Sequence, residues 1–421
     1  MTDTAPGIQA EAATSEPVRL RRVLSLPLLT LYGLGVTLGA GIYVLVGVTV
    51  ERAGIHAPLT FVLASCVVAF TCLSYAELST RFPVSAGEAE YLHQGFRSRI
   101  LSTVAGLLLV TSGTVSSAAI AIGAANYLGL FISAPEPVLV AALILVLALA
   151  ACWGIAESLF IAALFTLVEA FGLGMVIWFG SASITDPGLV WKAFTPGFEI
   201  TAWAGIATGS LLAFFAFVGF EDIVNVAEEV NEPQKTLPRA IMLTLVLATL
   251  LYLTVVTTMI AAVPLDTLSG AKAPLALVFQ DKPAALSTIF SVIAIIATVN
   301  GILIQIIMAS RVIYGMSNQG NLPRVFGYVH PRLRTPLIAT ACVTAIVLIL
   351  GLTTPIDRLA EATSQAVLVV FVLVNSALLA IWYRDRNTAG EPATDDYFHA
   401  PRWAPAAGVL TCLLLLSTSF V

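Results

Sequence analysis

"YGLGVTLGAGIYVLVG", residues 32–47, carries no charge and five glycines: Gly33, Gly35, Gly39, Gly41 and Gly47. It lies inside an apolar run, 23–50, and about 20 apolar residues suffice to cross a bilayer as a helix. Glycine is among the poorest helix formers, yet lipid tolerates non-helical backbone only where it is buried in protein or lines a cavity. The pair Gly39 and Gly41, set around Ala40, therefore predicts a helix that breaks at bilayer depth. Gly33 and Gly47 read instead as points where a neighbouring helix comes close.

The rest of the chain is of the same kind. Of 421 residues, 58% are hydrophobic and 11% charged, against about 25% charged in a soluble domain. Charge-free runs recur at 23–50, 53–76, 100–135, 137–156, 170–185, 200–220, 240–265, 283–310, 335–356, 362–383 and 403–421. The short fifth run is completed by 158–168 ahead of Glu169. This predicts an all-α integral membrane protein with eleven transmembrane helices. With the N-terminus placed in the cytoplasm, 15 Lys and Arg fall inside and 5 outside, and it is this bias, not the net charge of −5, that sets orientation. The reading is a multi-pass protein of the cytoplasmic membrane with its C-terminus outside. Residues 1–22 lack the basic and apolar regions of a signal peptide and read as a disordered cytoplasmic tail, Arg21 and Arg22 serving as a positive-inside anchor. The five cysteines fall within apolar spans without C-x-x-C spacing and are expected to be buried thiols. The four histidines lack ligand spacing, so no metal site is expected.

No soluble domain fits between the spans. Matching spans one to five (23–183) with six to ten (200–384) leaves 403–421 as the eleventh helix. An odd number of crossings per half makes the second half start on the opposite side, an inverted-topology repeat of the kind found in secondary transporters. Span one is interrupted by "LGAGIY" (38–43) and span six by "FFAFVGFED" (214–222). Interruptions at corresponding positions of two halves point to a binding site. A broken helix offers free N–H groups, here near Ala40 to Ile42, which suit a carboxylate, and free carbonyls, which suit an ammonium. Two such breaks make a receptor for a zwitterion without charged side chains, which points to α-amino acids.

Four stretches, "LGVTLGAGIYVLVG", "SYAELSTRFPVSAGEAEYLHQGF" (74–96), "FFAFVGFEDIVNVAEEVNEPQKTLPRAI" (214–241) and "SRVIYGMSNQGNLPRVF" (310–326), resemble the amino acid–polyamine–organocation superfamily. Within it they are similar to bacterial amino acid permeases related to the cationic amino acid transporters. The resemblance covers about residues 20–385. It implies a LeuT-type fold of 5+5 inverted repeats with broken helices 1 and 6, and alternating access. It places the substrate carboxylate at Thr37, Gly39, Ala40, Gly41 and Ile42, the amino group at the carbonyls of Phe215, Ala216 and Val218, and an aromatic lid at Phe220. Asn300 and Gln305 in span eight are further candidates. Relatives commonly have twelve or more spans against the eleven read here, which leaves open the dimer contacts that some relatives make with terminal helices.

Glu169 lies about halfway along span five, where a carboxylate is costly and marks an ion or proton pathway. One reading is a proton gained and lost as access alternates, coupling uptake to H⁺. Another is a carboxylate paired with Na⁺ or with a cationic substrate, and a third is a structural hydrogen bond. Glu221 and Asp222 follow the span-six break and are assigned to the inner vestibule, facing either the substrate amine or a network of Arg residues and backbone N–H groups. Glu77, Glu228 and Glu229 are expected to meet Arg81, Arg97, Arg311 or Arg239. No nucleotide, zinc or serine-nucleophile motif appears, so no enzyme, cofactor or nucleic-acid partner is expected. The reading is a proton-coupled permease for neutral or hydrophobic amino acids, with a cationic amino acid or polyamine transporter and a non-transporting sensor as alternatives. Oligomeric state is left open.

Overall fold

The computed structural model describes residues 22–84, 87–153, 159–184, 186, 188–387 and 397–420. The tail over 1–21, the side chain of Ala40 and those of 159–162 lie outside the described residues. Every apolar run contains a helix. The order is α1 Leu26–Leu38, α2 Ala40–Ala53, α3 Ala57–Arg81, α4 Gly87–Phe96, α5 Arg99–Leu128, α6 Glu136–Trp153, α7 Leu159–Ser181, α8 Gly188–Ala193, α9 Ile200–Phe215, α10 Pro233–Ala262, α11 Leu265–Leu268, α12 Ala284–Asn318, α13 Leu337–Thr353, α14 Ile356–Asn387 and α15 Ala404–Ser417. Eight helical stretches are long and apolar enough to cross a membrane, and Leu26–Leu38, Leu337–Thr353 and Ala404–Phe420 are shorter apolar helices. Pro27, Pro58, Pro233 and Pro405 open α1, α3, α10 and α15, at positions where a missing N–H costs nothing. No strand forms among the described residues beyond a parallel bridge between Leu24 and Val230.

The helix containing the opening stretch breaks at one residue. Gly39 has φ −36° and ψ −113°, ending α1 and starting α2. Gly41 is already helical; what it supplies is room, as shown below. Gly33 and Gly47 are packing glycines: a Cβ would lie 2.4 Å from Ile223 Cδ1 at the first and 2.7 Å from the Ala271 carbonyl oxygen at the second. The second break is longer. α9 stops at Phe215, Ala216–Gly219 form a turn with Gly219 at φ +114°, and the chain resumes as a 3-10 helix, Phe220–Glu229. Its end is fastened to the segment ahead of α1, with Leu24 N donating to Glu229 O and Asn231 N to Leu24 O, each at 2.9 Å.

The helix pairings recur in two matching sets. α1 lies against α10 as α9 does against α3, α5 against α6 as α12 does against α13, and α7 against α12 as α14 does against α5. α15 packs on α3 and α14.

Two expectations need correction. Only Cys72 and Cys412 are buried; Cys66 is exposed and Cys152 and Cys342 are partly so, because an apolar span turns one face to lipid. Glu77 is buried but meets no arginine among the described residues. Its carboxylate accepts from Trp382 Nε1 at 2.6 Å and from Ala400 N at 2.8 Å, while Arg81 pairs with Asp385 at 2.6 Å. Neutral N–H donors from α14 and the α14–α15 connection reach the carboxylate first, and the arginine turns to the aqueous edge. Glu229 meets the Val23 and Leu24 amides through its backbone oxygen.

Candidate functional site

The two breaks meet. A Cβ on Gly41 would sit 2.6 Å from Ala216 Cα, and one on Gly219 would sit 2.7 Å from Val36 Cγ1 and 3.0 Å from the Val36 carbonyl oxygen. Only glycine at 41 and 219 lets the two interrupted helices approach at backbone distance. Beside them lies a cavity of about 30 Å³, walled by Gly35, Val36, Thr37 and Gly41 of the first break and Phe215 and Val218 of the second. α5 closes it with Ser116 and Ile120, and α12 with Gly301, Ile304 and Gln305. Among the described residues no Asp, Glu, Lys, Arg or His lines it. Its volume admits a water or two, at about 10–15 Å³ each, so a ligand enters only when the surrounding helices move.

Among the expected positions, Thr37, Gly41, Phe215, Val218 and Gln305 line this cavity, and Gly39, Ile42, Ala216, Phe220 and Asn300 do not. Ile42 is fully buried. Phe220 packs edge-on against Tyr75 and Phe371, at ring distances of 5.6 and 5.4 Å. The carbonyls freed by the breaks already share one partner: the Tyr252 hydroxyl lies 2.6 Å from Thr37 O and 2.8 Å from Ala216 O. With a single proton it donates to one of them at a time. Sequence reasoning missed Tyr252. Its signal was the one tyrosine in the run 240–265, whose hydroxyl must find an acceptor at bilayer depth. Ser116 and Ile120 left no comparable trace, since which face of a uniformly apolar helix turns inward is not written in its own sequence.

Glu169 is fully buried on α7. Asn300 Nδ2 lies 3.4 Å from Oε1, and Oε2 has no hydrogen-bond partner among the described residues. The backbone carbonyl of Glu169 accepts from Tyr43 at 2.7 Å, and Tyr43 O accepts from Tyr127 at 2.8 Å. Glu169 thus stands beside the cavity wall, joined to it through Asn300, the neighbour of Gly301. Glu221 and Asp222 lie on the other side of the second break. Glu221 Oε2 accepts from Gly219 N at 2.9 Å, and Asp222 Oδ1 accepts from Asn225 Nδ2 at 3.3 Å. Backbone and amide N–H groups, not arginines, receive them.

Two broken helices around a charge-free cavity are the setting in which comparisons with known proteins become decisive. The amino acid permease family model matches residues 24–421. The chain belongs to the amino acid permease family. The permease is 28% identical over 433 residues to the branched-chain amino acid permease BcaP of Bacillus subtilis, covering 96% of this chain and 90% of that one. It is 28% identical to the mitochondrial cationic amino acid transporter 3 of Arabidopsis thaliana over 87% of its own length and 63% of the plant protein's. It is 29% identical to the uncharacterized transporter Rv1999c of Mycobacterium tuberculosis over 95% and 86%. These relatives are named permeases and transporters, not enzymes, and the permease is a multi-pass membrane protein whose family moves amino acids.

Proposed function

We propose that the permease carries neutral amino acids with aliphatic side chains across the cytoplasmic membrane by alternating access, coupled to protons through Glu169. The observation that carries this reading is the cavity between the two breaks: backbone groups for a zwitterion, Val36, Ile120, Val218 and Ile304 for an apolar side chain, and among the described lining residues no charge to receive a charged one. A branched-chain substrate is also what the name of BcaP states for that protein. The mirrored helix pairings support a 5+5 inverted repeat of LeuT type, the apolar runs support eleven crossings, and the Lys and Arg bias supports an N-terminus inside. Thr37, Gly39, Ala40, Gly41 and Ile42 then face the carboxylate, and Phe215, Ala216 and Val218 the ammonium, which competes with the Tyr252 hydroxyl for the same carbonyls. Glu169 serves as the coupling group because a buried carboxyl with one oxygen unpartnered has no fixed counter-charge and is held most cheaply with a proton.

The same unpartnered oxygen favours the second reading, a cationic amino acid or polyamine whose side-chain charge, or Na⁺, completes Glu169, in keeping with the names of the plant relatives. Uptake into proteoliposomes of labelled leucine, arginine and putrescine, with and without an inward proton gradient, separates them. Leucine uptake that the gradient drives and Glu169→Gln uncouples is the expected result. Arginine uptake indifferent to the gradient would establish the second reading, and binding of leucine without flux would make the protein a sensor.

A further inference from the structure

The inner side of the second break holds a third carboxyl that the mechanism above does not use. Glu88, on the short helix α4, is 2% exposed, and Glu221 is 5% exposed; Asp222 is only partly covered. They come from segments more than a hundred residues apart, yet a Cβ on Gly87, next to Glu88, would lie 2.5 Å from Oδ1 of Asn225, the partner of Asp222, and Tyr75, which holds Glu88, stands 5.6 Å from the ring of Phe220, next to Glu221. The Tyr75 hydroxyl of α3 donates to Glu88 Oε1 at 3.0 Å, and Glu221 caps the break itself at Gly219 N. The other groups facing the cluster are Cys72 on α3, within reach of the Glu221 charge, Tyr91 on α4 and Asn225 on the 3-10 helix. Among the described residues no Lys, Arg or His forms an ion pair with any of the three. Arg384 of α14 donates to carbonyls at the far end of α4, Gln94 and Gly95.

Three neighbouring carboxyls without a counter-ion are not all ionised together in a poorly hydrated site. A second observation points to the same place. The Tyr91 hydroxyl is fully buried and has no hydrogen-bond partner among the described residues. Its ring stands edge-on to Tyr75, 6.2 Å away, and it lies within electrostatic reach of Glu88. It is a buried donor and acceptor beside Tyr75, the partner of Glu88, and has no partner of its own among the described residues. Among the described residues no set of side chains converges as metal ligands would, so the ligand the site fits is the proton.

We propose that Glu88, Glu221 and Asp222 form a proton-holding site at the inner gate, loaded while α4 is packed against the 3-10 helix and emptied to the cytoplasm through Asp222. The inference rests on the proton-coupled reading above and gives its proton a place of departure. The step is a bare proton transfer from a carboxyl to water, which leaves a carboxylate and requires no co-reactant. Burial holds the Glu88 carboxyl up at about 7, so an inner face more alkaline than that draws the proton off. The carboxylates left behind repel one another across the contact between α4 and the 3-10 helix, and that repulsion favours the open inner gate.

The test varies the pH inside leucine-transporting proteoliposomes at fixed outside pH. For the wild type, initial uptake is expected to rise about threefold or more between about pH 6 and about pH 8 inside, a span that crosses a carboxyl titrating near neutrality. Glu88→Gln is expected to flatten that rise in protein that stays monodisperse. Tyr91→Phe, which keeps every carboxyl and loses no existing hydrogen bond, is expected to displace its midpoint. A pH-difference infrared spectrum should show a protonated carboxyl band that Glu88→Gln removes. Gradient-driven transport with internal-pH profiles and infrared bands that overlay in all three proteins would overturn the inner site and leave the proton-coupled reading standing. An absence of any gradient effect in the wild type would overturn that reading itself.

Discussion

Glycine at 41 decides more at the residue scale than any side chain in the site, because it sets how close two backbones come. A Cβ there meets the Ala216 backbone at 2.6 Å, below any tolerable contact, and backbone cannot rotate away as a side chain does. Gly41→Leu is therefore expected to force the breaks apart and to abolish uptake in proteoliposomes. Gly174→Ala, at a glycine with nothing within 4 Å of the added atom, is expected to leave uptake and thermal stability at wild-type levels. Retained transport by Gly41→Leu would mean that the two breaks need not touch. The importance of Gly39 and Gly41 was legible in the sequence, though for partly different reasons: the first breaks the helix, the second only clears space. Tyr252 and Glu88 were not legible in the same way. The Tyr252 hydroxyl finds its partner 215 residues away at Thr37, and Glu88 gains its character from a 3-10 helix more than a hundred residues on.

Helices in lipid are held together by packing and hydrogen bonds more than by burial of apolar surface, and at the element scale α15 shows how. Asn375 of α14 accepts from Ser74 at 2.6 Å, and its amide donates to Thr71 at 2.9 Å and to Phe371 O at 2.8 Å. Thr71 in turn lies 3.8 Å from Cys412 Sγ of α15, and Gly408 clears the space over the amide. Every polar atom of Asn375 is satisfied, and three helices share it. Asn375→Leu leaves the Ser74 and Thr71 hydroxyls to find other partners, at a cost of about 1–2 kcal/mol. The expected outcome is a lower melting temperature in detergent with faster hydrogen exchange along α15. An unchanged melt would show that packing alone seats α15. The existence of α15 was plain from its apolar run, whereas its docking partners were not, because one asparagine in a charge-free helix does not say which neighbour it faces.

On the scale of the whole molecule, the structure is shut on both sides of its central cavity. On the side that the proposed orientation places outside, Arg52 at the end of α2 reaches Asp357 and Glu361 of α14 at 3.4 and 3.2 Å, Lys272 pairs with Glu136, and Gly270 N donates to Gly47 O at 3.2 Å. On the opposite side, Tyr75, Phe214, Phe220 and Phe371 interlock with ring centroids 5.4–5.8 Å apart. The outer closure is ionic and exposed, and such pairs contribute only about 0–1 kcal/mol each, so it is the side more easily opened. Arg52→Gln combined with Lys272→Ala is expected to raise labelling of a cysteine placed at Ile120, a residue that lines the cavity, about threefold to tenfold from outside. Labelling no faster than in the parent would show that these pairs do not hold the outer side closed.

The sequence by itself determined that this protein is a bundle of apolar helices in a membrane, where its first helix breaks and that a second break answers it. The bilayer has no water to satisfy a bare peptide group, so both the helices and the few places where they fail are written locally, in hydrophobicity and glycine. Only the tertiary structure decided which faces close the cavity, that Tyr252 spans the two breaks, that Glu77 meets backbone and indole N–H groups in place of arginine, and that Glu88 joins Glu221 and Asp222. Those outcomes depend on which helices meet. In a chain where nearly every helical face is apolar, the choice of neighbour rests on close packing and on a few polar contacts between residues far apart in sequence.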